Sequence, residues 1–264
     1  MRELFISDLD GTLFNSDAEI TDFTAETINS LISHGLNFTF ATARSQRSAI
    51  ELTEKLNLNV PCVMMNGVVI YNTTEKRFEK IECISMEYSL KLCDAFEKCG
   101  VKGHIYRISD GNLIAFTDKE NDDFSRYTYR RSLREALAED TENLPIYFTA
   151  TDEREILLPL KNEADRLNGA DCAFYEDIYT KKWYLEIFSE NASKANAVRY
   201  LREKYHFDKV TAFGDNLNDI SLFSVSDVKI AVGNAKDELK ECADIIIDSN
   251  DSDGVAKWLK ENCF

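Results

Sequence analysis

Residues 5–16 read FISDLDGTLFNS. An apolar run ends in two carboxylates, Asp8 and Asp10, and breaks at Gly11. The run has the composition of a buried strand. Two acids that close repel each other unless something positive sits beside or between them. A lone D-x-D also fits a turn or a helix cap, so its meaning depends on what the rest of the chain brings to the same place.

Working outward, the spacing predicts a helix over 21–35 that stops at Gly35, a strand over 36–42, a helix over 45–58 and a short buried strand over 61–67 followed by VVIY. This β-α-β-α-β order argues for a parallel sheet with helices on its faces. After residue 82 the rhythm changes. A helix over 86–99 precedes two alternating runs in 102–117, joined by the hairpin dipeptide Asp110-Gly111. A polar, acidic helical region over 118–140 follows, then a strand over 145–151, a helix over 152–168 and strands over 172–177 and 183–189. The first rhythm returns near residue 193, with a helix over 193–206 and a strand over 209–215 that again ends in an acid. The expected fold is therefore α/β: a Rossmann-like parallel-sheet domain built from 1–82 and 186–264, with 83–185 inserted as an α+β domain.

In open α/β sheets, ligands bind beyond the carboxyl ends of the strands. Here those ends carry Asp8 and Asp10, then Thr42, Ala43 and Arg44, then Asp215, Asn216, Asn218 and Asp219. If the strands are neighbours, three or four carboxylates, a hydroxyl and an arginine meet at one rim. Hard oxygen ligands around an open position suit magnesium. The metal would neutralise the paired acids and leave room for a phosphate.

Composition narrows the partners. The net charge is 31 − 47 = −16, which argues against nucleic acid or an anionic membrane. It does not exclude a phosphorylated substrate, because a few cations set the field inside a pocket. Seven cysteines, an odd number without C-x-x-C spacing, read as reduced thiols of a cytoplasmic protein. No apolar run has the length of a membrane span, and the early one is interrupted by Asp8 and Asp10.

Four motifs in order, DLDGT (8–12), TAR (42–44), the lysine of SKAN (193–196) and GDNLND (214–219), resemble those of the haloacid dehalogenase (HAD) superfamily. The insertion between MNG (65–67) and that lysine resembles the Cof type with its α/β cap, as do AVGNA (231–235) and SNDSDGVA (249–256). The resemblance implies a magnesium-dependent phosphatase acting on a small phosphorylated metabolite, such as a sugar phosphate or a phosphorylated cofactor. Asp8 would be the nucleophile, forming an aspartyl-phosphate, and Asp10 the general acid and then base. Lys194 would stabilise the transferring phosphoryl group and hold Asp8. Thr42, Asn218 and the backbone amides of Leu9 and Ala43 would contact the phosphoryl group. Asp8, the Asp10 carbonyl and Asp215 would hold the metal, with Asp219 orienting its waters; Asp219 alone also reads as a helix cap. Where the family more often has T-G-R, this chain has Ala43, which leaves the part played by Arg44 open. A monomer or weak homodimer is expected. A phosphomutase would need a bisphosphate activator and show weak net hydrolysis, and a ligand sensor would have lost one of these residues.

Overall fold

In a computed structural model, the described residues are 1–119, 128–139, 142–176 and 181–263. In chain order the elements are β1 (Glu3–Ser7), α1 (Asp22–Ser33), β2 (Asn37–Phe40), α2 (Gln46–Leu52), β3 (Cys62–Met64), β4 (Val69–Asn72), β5 (Arg77–Ile81), α3 (Met86–Cys99), β6 (His104–Ser109), β7 (Asn112–Thr117), β8 (Thr128–Arg130), α4 (Leu133–Glu139), β9 (Tyr147–Asp152), α5 (Arg154–Ala164), β10 (Ala170–Glu176), β11 (Trp183–Ser189), α6 (Lys194–Tyr205), β12 (Lys209–Gly214), α7 (Asp219–Phe223), β13 (Val228–Ala231), α8 (Asp237–Cys242), β14 (Ile245–Ile246) and α9 (Gly254–Asn262). They form two units, Met1–Lys80 with Ser193–Phe264, and Ile81–Ala192.

The first unit holds a five-stranded parallel sheet in the order β14-β13-β12-β1-β2. Consecutive residues Leu4–Ser7 and Val210–Gly214 are all buried. Side chains alternate between the faces of a strand, so both faces of the sheet centre are covered. The helices pack in two groups, α1 with α9 and α6 with α7 and α8 in series. A three-stranded sheet, β3-β4-β5, continues from the edge through a parallel bridge between Ala41 and Val63. The register sets the site: Ser7 lies opposite both Phe213 and Phe40. The residues that follow these three, at the carboxyl ends of adjacent strands, are the acids and the Thr42–Arg44 stretch picked out in the sequence.

The second unit is a six-stranded sheet in the order β10-β11-β9-β6-β7-β8, antiparallel except for β7 with β8. Leu185 and Ile187 of β11 join Leu92, Phe96, Phe148 and Leu157 in its core. Asp110 and Gly111 turn the β6–β7 hairpin with φ of 48° and 74°, the left-handed pair this tight turn requires.

Several boundaries differ from the sequence reading. The chain returns to the first unit at Ser193, later than the expected 186, because β11 pairs along its length with β10 and through Phe188 with β9. Helix α2 stops at Leu52, not 58, where the Thr53 hydroxyl turns back onto the Ala49 carbonyl at 2.7 Å. The region 118–140 holds a strand, β8, before its helix, and residues 120–127 and 140 of it lie outside the described residues. Strand β5 was not expected. All seven cysteines are free. Among the described residues, no helix is long and apolar enough to cross a membrane.

Candidate active site

Asp8 leaves β1 with its amide still bonded to the Phe213 carbonyl at 3.0 Å. That bond locks it to the end of β12. Its side chain is buried, and Oδ1 accepts from Lys194 Nζ at 2.5 Å. Lys194 is the first residue of α6, whose start is capped by the Ser193 hydroxyl accepting from the Asn196 amide at 3.0 Å. The same ammonium donates to Asp219 Oδ1 at 2.7 Å. Asp219 opens α7 and is fully buried; its Oδ2 accepts from the amides of Asp215 and Asn216 at 3.1 and 3.2 Å. Gly214 permits this approach, since a Cβ there would sit 2.8 Å from Asp219 Cβ.

Asp215 completes the cluster, with Oδ1 accepting from the Thr12 hydroxyl at 3.0 Å. Asp8, Asp215 and Asp219 each offer an oxygen within 4.8 Å of the others. Three clustered carboxylates therefore share one ammonium, which bonds two of them directly. Burial, reinforced by the charge of Asp219, pushes Asp215 up to about 6. Burial also raises Asp8 well above the usual carboxylate range, against the pull of Lys194. Burial alone would lower Lys194, but Asp219 and Asp8 outweigh it and hold the lysine above its ordinary value. The remaining deficit of positive charge is what a divalent cation would fill. Among the described residues Oδ2 of Asp8 and Oδ2 of Asp215 accept no hydrogen bond, whereas both oxygens of Asp219 are engaged. The donor set, all hard oxygen, fits magnesium.

The other residues singled out in the sequence fall around this cluster. Thr42 is buried, its amide bonded to the Val63 carbonyl at 2.9 Å, and its hydroxyl accepts from the Arg44 amide at 3.1 Å. Among the described residues, the amide of Ala43 donates to no acceptor. Leu9 is buried, and its carbonyl accepts from the Phe14 amide at 2.8 Å. Asn218 is exposed at the start of α7. The Asp10 carboxylate lies outside the acid cluster and meets the Arg44 guanidinium in a two-point pair, at 2.6 and 2.8 Å.

Sequence reasoning missed the supports of the turn that follows β1. Gly11 sits there at φ 77°, and a Cβ on it would come 2.5 Å from Asp215 Oδ2. Asn234 Nδ2 donates to the Gly11 carbonyl at 2.7 Å, and its Oδ1 accepts from the Asn250 amide at 3.0 Å. Asn250 Nδ2 in turn donates to the Phe14 carbonyl at 3.0 Å. These two asparagines lie in AVGNA and SNDSDGVA, which therefore brace the loop that carries Asp8 and Asp10. The resemblance of the two stretches to Cof-type signatures pointed to them in the sequence, but nothing there gave the asparagines this bracing role.

A buried carboxylate beside an ammonium, with spare acid oxygens at the carboxyl edge of a parallel sheet, is an arrangement able to take a divalent cation and an anionic ligand. The haloacid dehalogenase-like hydrolase family matches residues 5–259. The chain belongs to that family and is of the Cof type. Among its relatives is the 5-amino-6-(5-phospho-D-ribitylamino)uracil phosphatase YitU of Bacillus subtilis, 26% identical across 98% of this chain and 96% of the relative. YcsE, a phosphatase of the same name and organism, is 27% identical across 98% and 94%. The solved structure of TM0651 from Thermotoga maritima, 25% identical, covers 99% of this chain and 97% of its own with a TM-score of 0.81.

Proposed function

We propose that this protein is a magnesium-dependent phosphatase that hydrolyses a small phosphorylated metabolite, a sugar phosphate or a phosphorylated cofactor, through an aspartyl-phosphate on Asp8. The observation that carries the reading is the buried Lys194 ammonium, 2.5 Å from Asp8 and 2.7 Å from Asp219. It holds the nucleophile in place and supplies fixed positive charge where a phosphoryl group gains negative charge in the transition state. The names of YitU and YcsE support a phosphate monoester of a small molecule as substrate.

Asp8, Asp215 and the Asp10 carbonyl would hold magnesium, which supplies charge neutralisation between the acids and the phosphoryl oxygens. In the first half-reaction, an Asp8 oxygen bonds to phosphorus as the ester bond breaks, and Asp10 gives its proton to the leaving oxygen. In the second, Asp10 takes a proton from water, whose oxygen bonds to phosphorus and returns Asp8 to its carboxylate. Thr42, Asn218 and the amides of Leu9 and Ala43 orient the phosphoryl oxygens. Asp219, its oxygens spent on Lys194 and two backbone amides, positions the lysine and the loop bearing Asp215.

The test is phosphate release from a panel of phosphorylated metabolites with magnesium, for wild type and Asp8→Asn together. Turnover of several related esters by wild type alone is the expected result. Equal turnover by both proteins would remove Asp8 as nucleophile.

A further inference from the structure

Arg44 is held more firmly than a surface arginine needs to be. Nε and Nη2 donate to Oδ2 and Oδ1 of Asp10 at 2.8 and 2.6 Å. Nη1 donates to Ser48 Oγ at 3.0 Å, and the guanidinium carbon stands 5.6 Å from the centre of the Phe14 ring. The backbone is fixed too: the Arg44 amide donates to Thr42 Oγ1 at 3.1 Å, and the carbonyl accepts from the Met65 amide at 3.0 Å. The Asp10 side chain it grips is 48% exposed. A half-exposed ion pair contributes little to stability, so fold maintenance does not account for this many restraints. A guanidinium fork fixes a carboxylate in orientation as well as position, which a lone ammonium does not.

We infer that Arg44 is a positioning residue for Asp10 in the second half-reaction, an inference that rests on the phosphatase reading above. The fork uses one lone-pair site on each Asp10 oxygen and leaves the other on each. The pair is the carboxylate form of Asp10, the form that must accept a proton from water. As that proton moves to Asp10, the water oxygen bonds to phosphorus, the bond from phosphorus to Asp8 breaks, and phosphate leaves. The proton gained replaces the one Asp10 gave to the preceding leaving group. Without the fork, Asp10 samples orientations in which it does not face the water, and the aspartyl-phosphate persists.

The test is rapid mixing with p-nitrophenyl phosphate and magnesium, whose leaving group departs with little help from an acid. Wild type, Arg44→Ala and Arg44→Gln are compared, the glutamine variant keeping bulk without the fork. The expected result for either variant is a steady-state kcat at least about tenfold lower, preceded by a burst approaching about one nitrophenolate per active site. Should Arg44→Ala fail to fold, Arg44→Gln carries the same readout. A slow rate with no burst, a higher KM at unchanged kcat, or unchanged kinetics would each overturn the inference. The phosphatase reading fails separately, if wild type hydrolyses neither this ester nor any phosphorylated metabolite.

Discussion

Asp8 and Lys194 are 186 positions apart in the chain, yet their side chains meet at 2.5 Å in the core. The ammonium also serves Asp219, so one cation is shared by buried acids that outnumber it. Removing it leaves those acids uncompensated, and breaking a buried pair in this way costs about 3–5 kcal/mol. Lys194→Met is expected to lower kcat by at least about 100-fold and to depress Tm, more in EDTA than in magnesium. Steady-state kinetics and thermal melts in both buffers check this; a variant with near-normal kcat would exclude the electrostatic role.

The acids themselves give a pH signature. Asp215 is raised from 3.8 to about 6 and Asp8 is raised as well. Between those values the folded protein binds more protons than the unfolded chain, so stability falls as pH rises. The contribution is fully present below about pH 4 and is lost as pH passes through about 6. In EDTA, Tm is therefore expected to drop across this window relative to Asp215→Asn, which lacks the group. Magnesium held as proposed would bind the ionised acids, so its stabilising effect should be greater at pH 7 than at pH 5. Melts across pH with and without magnesium decide it; a magnesium effect independent of pH would contradict the assignment.

Gly11 gives a way to disturb the proposed metal position while leaving its proposed ligands unsubstituted. The residue is left-handed, and a methyl there would crowd Asp215 Oδ2 at 2.5 Å. Gly11→Ala should destabilise by about 1–2 kcal/mol from backbone strain and raise the magnesium concentration needed for half-maximal activity. Titration of activity against magnesium is the measurement, and an unchanged midpoint would show that Asp215 Oδ2 does not face the ion.

Asn234 tests the bracing of the catalytic loop. Its amide bonds to the Gly11 carbonyl and accepts from the Asn250 backbone. Asn234→Ala should cost about 1–2 kcal/mol for these two bonds and lower kcat more than it raises KM, because the loop bearing the proposed nucleophile, Asp8, loses its support. Denaturant melts and kinetics on one preparation separate the two effects.

Much of this architecture was legible because its signals are local. Asp110-Gly111 specifies a hairpin turn by backbone preference alone, and apolar runs ending in acids mark the carboxyl edge of a buried sheet. The partner of Asp10 was not legible, because nothing in the stretch TAR distinguishes an arginine that grips a phosphate from one that grips a neighbouring acid. Thr12 likewise reads as part of DLDGT, and only the fold turns its hydroxyl onto Asp215. The unit boundary near 186 was misplaced for a related reason. The alternation in WYLEIFS fits an edge of either sheet, and the pairing that decides it involves residues 147–152 and 170–176.

The position of β1 between β2 and β12 also governs how the molecule is made. Phe5 pairs with Thr211, so this strand waits for one synthesised some two hundred residues later. The inserted unit, Ile81–Ala192, is contiguous and emerges whole within that interval. Pairings so distant in sequence slow folding and prolong exposure of unpaired strand edges. Residues 1–80, with their apolar strands, thus stay without the β12 partner throughout synthesis of the inserted unit. Premature termination anywhere before Asp219 leaves a chain that cannot assemble the cluster around Lys194.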